Sequence, residues 1–282
     1  MDAKHRAARI EALTRELTSQ FSVLETSDEV AMAEKVYGIF SQMPYFQAHP
    51  ENLRFIPVKD DPWQRKSVMA VVRGEKAPSK RTVVMIGHID TVGVSDYGPL
   101  AGCANQPDVL LEKLKELDLS EAVRRDLESG DYLFGRGIFD MKSGDAILIA
   151  LLEEISQDIA HFTGNLIYGA VCDEGGMLNL VPELGRMQRE EGLEYLALLD
   201  TDYMTSEFEG DENKYVYVGT VGKLMPTFYV VGKETHVGGA FKGLDPNQLA
   251  SKISARVNLN PEFCDVAEGE VTLPPVTLRQ RD

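Results

Sequence analysis

The chain has 282 residues, enough for one large domain or two modest ones at roughly 100–200 residues per domain. Hydrophobic residues make up 43% and charged residues 26%, an ordinary globular mix that excludes a long disordered or low-complexity chain. The net charge of −16 repels phosphate backbones and anionic lipid, so neither nucleic acid nor a membrane surface is expected as a partner.

Ile10, Leu13, Leu17 and Phe21 recur at helical spacing among charges and predict an opening amphipathic helix. A second helix is expected to start near Thr26, capped by that side chain with Glu29 reaching back, and to present Val30, Ala33, Tyr37 and Phe40 on one face. Pro44, Pro50, Pro57 and Pro62 break the segment after this helix. Ser67–Arg73 and Arg81–Gly87 are β-branched runs that read as strands joined by a loop. Between Gly93 and Leu133, a helix over Val109–Glu128, with Asp118 and Glu121 as an internal cap, suggests an insertion beside a site mouth. An apolar helix over Ala146–Ile155, a strand over Asn165–Val171, a helix over Leu178–Glu191 and a strand over Tyr195–Leu199 come next. Such alternation predicts an α/β fold, a mostly parallel sheet flanked by helices.

Near Tyr215 the texture changes. Strands over Tyr215–Gly219 and Leu224–Gly232, then a helix over Asn247–Val257, suggest a partial α+β lid, giving a catalytic domain over 1–214 and a lid over 215–282. The acidic run Glu207, Glu209, Asp211 and Glu212 reads as a solvated connection between them. Pro261 and Pro274–Pro275 come after that helix and no strand closes the second unit, so a C-terminally shortened chain is expected. Cys103, Cys172 and Cys264 are too few and scattered for a disulfide framework, and they point to a reducing compartment. Cys103 and Cys172 read as buried small hydrophobes, since neither has a histidine nearby in sequence. The longest clear apolar run, Ala146 to Leu152, falls well short of the roughly 20 residues of a membrane span. The opening MDAKHRAARIEALTREL lacks a signal-peptide core, and a soluble cytoplasmic protein is the expectation.

In open parallel sheets, ligands bind beyond the carboxyl ends of the strands. Arg81–Gly87 delivers His88 and Asp90 there, Asn165–Val171 delivers Asp173 and Glu174, and Tyr195–Leu199 delivers Asp200 and Asp202. Asp140 sits in the glycine-rich turn GRGIFDMKSG before the apolar helix. Taken singly, a histidine after a strand is usually structural and an aspartate before a helix is usually a cap. One imidazole and several carboxylates at a common sheet edge suit a divalent metal of borderline softness, typically zinc.

GHIDTV followed by GRGIFDMKSG resembles the signature of the co-catalytic zinc aminoacylases and exopeptidases, the family of acetylornithine deacetylase and succinyl-diaminopimelate desuccinylase. VCDEGGML, LLDTDY and TLPPVTLRQRD extend the resemblance towards its arginine-utilisation members, from about Ala31 to the last residue. The resemblance implies that His88 and Asp200 ligate one metal, that Asp140 bridges two, and that Asp90 orients the His88 imidazole. It makes Glu174 the general base and His236, in VVGKETHVGGAFKGLDP, an oxyanion donor on a lid that commonly forms a homodimer. Lys142 would anchor nearby backbone or carboxylate groups. The resemblance also implies two zinc ions (cobalt or manganese as alternatives) and hydrolysis of an amide in a small N-acyl amino acid or short peptide, with arginine catabolism as the setting.

Two departures stand out. The family's D-E-E is Cys172-Asp173-Glu174-Gly175-Gly176 here, so either Glu174 is the base and one ligand is missing, or Asp173 and Glu174 fill the two places. No histidine comes after His236 to supply the family's C-terminal ligand. The competing reading is a non-catalytic metal-binding or oligomeric protein that keeps the scaffold. A nucleotide site is disfavoured, because GRGIFDMKSG lacks P-loop spacing.

Overall fold

A computed structural model of the chain describes residues 2–174, 179–204, 208, 210, 211, 213–219, 227–258, 260 and 262. It divides into two compact units, Met1–Glu209 and Gly210–Asp282.

The first unit runs α1 (Ala3–Thr18), α2 (Asp28–Ser41), α3 (Pro44–Ala48), β1 (Leu53–Pro57), β2 (Lys66–Arg73), β3 (Arg81–His88), α4 (Pro107–Leu114), α5 (Glu121–Ser129), α6 (Ser143–Ser156), β4 (Asn165–Val171), α7 (Leu180–Glu191) and β5 (Glu194–Asp200). The strands form one sheet in the order β1-β2-β4-β3-β5. β3 pairs in parallel with β4 and with β5, so three strands point their carboxyl ends the same way. β1 and β2 extend the sheet with antiparallel pairings, β1 on β2 and β2 on β4. The expected layering, a sheet between helices, is what the structure has.

Strand alternation sorts the core into two layers. Val68, Ala70 and Val72 of β2 join Leu166 and Tyr168 of β4 on one face, where α1, α2 and α6 supply Leu13, Leu17, Met32, Val36, Phe40 and Ile149. Met69, Val71, Val84, Ile86 and Ile167 face the other way, against Leu180 and Met187 of α7. Burying each such large aliphatic side chain contributes about 1.5–3 kcal/mol. These helices hold the sheet from both sides, so its carboxyl edge is a rigid base for polar groups. β5 is the exception: Leu196, Leu198 and Leu199 remain exposed.

Three local expectations are corrected. Thr26 Oγ1 accepts from the Asp28 N–H at 3.2 Å, and Glu29 reaches back to the Glu25 N–H at 2.8 Å, so the capping interactions sit one residue out of the expected register. The helix expected over Val109–Glu128 is two helices, α4 and α5, and Ser120 caps the second through the Val123 N–H, in place of Asp118 and Glu121. β1 lies in the segment read as proline-broken; Pro57 ends an edge strand, where a missing N–H costs no ladder bond. The strands expected over Ser67–Arg73 and Arg81–Gly87 are present as β2 and β3, with β4 between them in the sheet.

The second unit contains α8 (Pro246–Val257), capped by the Asp245 side chain on the Asn247 N–H. Lys233 and Leu244 form an isolated antiparallel bridge. Residues 213–219 and 227–232 are irregular where strands were expected; a strand needs a paired neighbour, and the bridge at Lys233 is the pairing among the described residues of this unit. Residues 224–226, the helix start at Leu178, most of the acidic run (Glu207, Glu209 and Glu212), Gly175, Gly176, Cys264 and the C-terminal prolines lie outside the described residues.

Candidate metal centre

The carboxyl end of β3 carries His88, almost fully buried. Its Nδ1 lies 3.1 Å from the Asp90 backbone carbonyl, an oxygen that can only accept, so Nδ1 carries a proton and Nε2 faces the opposite side. Nε2 is 2.7 Å from Asp140 Oδ1. Burial pushes the His88 imidazole down, but the carboxylates of Asp90, Asp145 and Asp140 outweigh it and raise the pKa to about 10. The nearer contact of Asp90 with the ring is through its main-chain carbonyl. Its carboxylate stands 3.6 Å from Nδ1 and accepts the Glu174 N–H at 3.1 Å.

Asp140 sits in the irregular turn before α6, half-exposed, with its carboxylate turned towards the imidazole. Behind it, Lys142 is buried and donates to the Gln20 carbonyl at 2.8 Å, the anchoring role expected of it; burial lowers its pKa to about 8. Asp145, one turn into α6, accepts from Tyr168 Oη at 2.6 Å, both groups being fully buried.

One ligand atom each from His88, Asp140 and Asp202 lie within 4.8 Å of one another, the group of this kind found among the described residues. Once the Nε2 proton is displaced, an imidazole nitrogen with two carboxylate oxygens is a donor set that suits a divalent ion such as zinc. Asp202, not Asp200, completes this trio. Asp200 Oδ1 instead accepts the Asp202 N–H at 3.2 Å, and partial burial raises its pKa. The sequence placed both aspartates at the end of β5; Asp202 reaches the trio from an exposed position, while partly buried Asp200 also feels the charges of His88 and Glu174. Gly144 helps to set that turn: a Cβ there would lie 2.3 Å from the Thr201 carbonyl oxygen.

A cavity of about 260 Å³ opens beside the trio, with His88, Asp90, Asp140 and Glu174 in its wall. Glu174 thus shares the cavity with two of the three candidate ligands. Asp173 turns away and pairs with Arg65 at 3.1 Å. Arg136 and Phe139 are among the wall residues that the sequence does not single out. Arg136 places a cation in the wall and pairs with Asp96; Phe139 stacks on Tyr203 with ring centroids 4.9 Å apart. The arginine belongs to GRGIFDMKSG, so it was visible, but nothing in its spacing marks it as facing a cavity. His236 belongs to the second unit, where its Nδ1 accepts the Gly238 N–H at 3.1 Å. Cys103 and Cys172 are buried free thiols, and burial raises Cys172 to about 11, which leaves it a poor nucleophile.

No family model matches the chain. It is 39% identical to protein RocB of Bacillus subtilis (strain 168) over 280 residues, covering 98% of this chain and 49% of RocB. Over 127 residues it is 32% identical to succinyl-diaminopimelate desuccinylase of Wolinella succinogenes, covering 45% of this chain and 33% of that protein. Among solved structures it is similar to the di-peptidase Dug1p from Saccharomyces cerevisiae, with a TM-score of 0.46 and 16% identity over 71% of this chain and 39% of that one. The chain spans about half the length of RocB. By sequence, then, the chain is a relative of RocB over nearly its whole length and of the desuccinylase over 127 residues.

Proposed function

We propose that this protein is a zinc-dependent hydrolase that cleaves the amide bond of a small N-acyl amino acid or short peptide. The observation that carries the reading is the convergence of His88, Asp140 and Asp202 beside a cavity that also presents Glu174. His88 Nε2 and the two aspartates would hold zinc, with Asp200 as the alternative carboxylate from the same turn; cobalt or manganese would suit the same donors. When bound, the metal polarises the scissile carbonyl and acidifies the attacking water. Glu174 takes a proton from that water and delivers it to the leaving nitrogen. The Asp90 carbonyl holds His88 in the ligating tautomer, and the Asp90 carboxylate holds the Glu174 backbone.

The family resemblance supports a second zinc bridged by Asp140, an oxyanion contact from His236 on a lid over 215–282, and a homodimer formed through that lid. It also supports compounds of arginine catabolism as first substrates. A cytoplasmic setting belongs to the same reading, supported by free Cys103 and Cys172. No helix among the described residues is long and apolar enough to cross a membrane.

The test combines metal analysis with a panel of N-acyl amino acids and dipeptides. Glu174→Gln is expected to keep its zinc and to lose about 10²–10⁴-fold in kcat. Unchanged turnover would remove Glu174 as base. Zinc bound without turnover by the unaltered protein on every compound would favour a non-catalytic scaffold.

A further inference from the structure

Where β4 ends, the chain must leave the sheet and present Glu174 to the cavity within three residues. Asp173 makes the bend, with φ at 62°, a left-handed conformation uncommon outside glycine. Each residue of the bend is held by a different element. The Cys172 N–H donates to Ser67 Oγ at 3.2 Å, the Asp173 carboxylate takes Arg65 Nη1 at 3.1 Å, and the Glu174 N–H donates to Asp90 Oδ1 at 3.1 Å.

Arg65 is built for a fixed position. Its side chain is 8% exposed, and its other nitrogens bind Asp61 at 2.8 Å while Nη1 also faces Glu29 at 3.5 Å. One planar guanidinium thus ties the loop between β1 and β2 to the first turn of α2 and to the end of β4. None of its partners is a candidate ligand of the metal centre, and Arg65 is not in the cavity wall.

We infer that Arg65 is a positioning residue for Glu174: by clamping Asp173 in its left-handed bend, it fixes the point from which the Glu174 carboxylate enters the cavity. The inference rests on Glu174 being the base. Misplacing a reacting group by about 1 Å costs on the order of 10²-fold in rate, so a clamp of this kind acts on kcat.

Asp173→Ala is the primary test, because it removes one arm of the clamp, acceptor and charge together, and leaves Arg65 paired with Asp61 and Glu29. Removing the guanidinium would strand buried carboxylates and threaten the fold. Expected for Asp173→Ala are a melting temperature within a few degrees of the unaltered protein, zinc affinity within about twofold, KM within about threefold, and kcat lower by about 10–100-fold. Corrected for intrinsic rate, the Glu174 amide proton should exchange at least about tenfold faster. Arg65→Lys, which keeps a cation in reach of Asp173, should retain more kcat than Arg65→Gln. An unchanged Glu174 exchange rate, or an unchanged kcat, overturns the inference; so does a loss of zinc, which would make Asp173 a ligand. If the unaltered protein hydrolyses no compound, the functional reading fails, and the exchange rates still decide whether the clamp holds Glu174.

Discussion

Glu29 offers a quantitative test of the electrostatics beside the site. Its side chain is fully buried, Oε2 takes the Glu25 N–H at 2.8 Å, and Oε1 has no hydrogen-bond partner. Burial raises its pKa from 4.5 to about 7, against the opposing pull of Arg65 and the Glu25 N–H and with help from Asp90 and Asp173. That rise corresponds to roughly 3 kcal/mol between the two protonation states. Below pH 4.5 the carboxyl is protonated in both folded and unfolded chains, and there is no penalty. Between 4.5 and 7 the unfolded chain has released its proton while the folded one retains it, so stability falls as pH rises; above 7 the full penalty applies. Glu29→Gln removes this titration. The new amide carries a pH-independent offset of its own, a buried NH₂ group without a partner, so the quantity to measure is the change with pH. Urea unfolding, followed through the single tryptophan Trp63, should show variant stability minus original stability rising by about 2–3 kcal/mol from pH 4.5 to pH 8. A difference that is flat across this range would refute the reasoning. A fall would show that Arg65 stabilises the Glu29 carboxylate by more than burial costs it.

Gly144→Ala places a Cβ against the Thr201 carbonyl and should displace the turn that carries Asp202, lowering stability by about 1–3 kcal/mol and weakening zinc binding; isothermal titration and thermal melting check it, and unaltered zinc affinity would detach Gly144 from the site. Tyr168→Phe removes the hydroxyl that donates to buried Asp145, whose other oxygen already lacks a partner, and should cost about 1–3 kcal/mol in urea unfolding.

The sequence made the ordered polar set legible because each member adjoins a run of recognisable period, Asp140 ahead of a helix and the others after strands. β4 was read to the residue, Asn165–Val171, since a continuous apolar run bounded by Gly164 and Cys172 admits little else. β1 was hidden by its prolines: a propensity reading penalises Pro57 wherever it falls, and it is harmless only because β1 is an edge strand. The positions of Asp200 and Asp202 depend on a backbone bend packed on Gly144, which strand periodicity does not encode. The Arg65 clamp joins residues 29, 61, 65 and 173, a contact with no local signature at all.

The strand order also bears on how the chain assembles itself. β2 and β3 are neighbours in sequence, yet a gap one strand wide stays between them until residues 165–171 arrive, after the whole stretch that carries Asp90, Asp140 and α6. Only β1 on β2 is a short-range hairpin in this sheet; the other three pairings each close a loop of many residues. Such topology lengthens the search for the native state, because loop-closure entropy is lost before any ladder forms in return. The strand threaded into the middle is also the one that leads, three residues on, to Glu174, so the cavity acquires that carboxylate only when the centre of the sheet is complete.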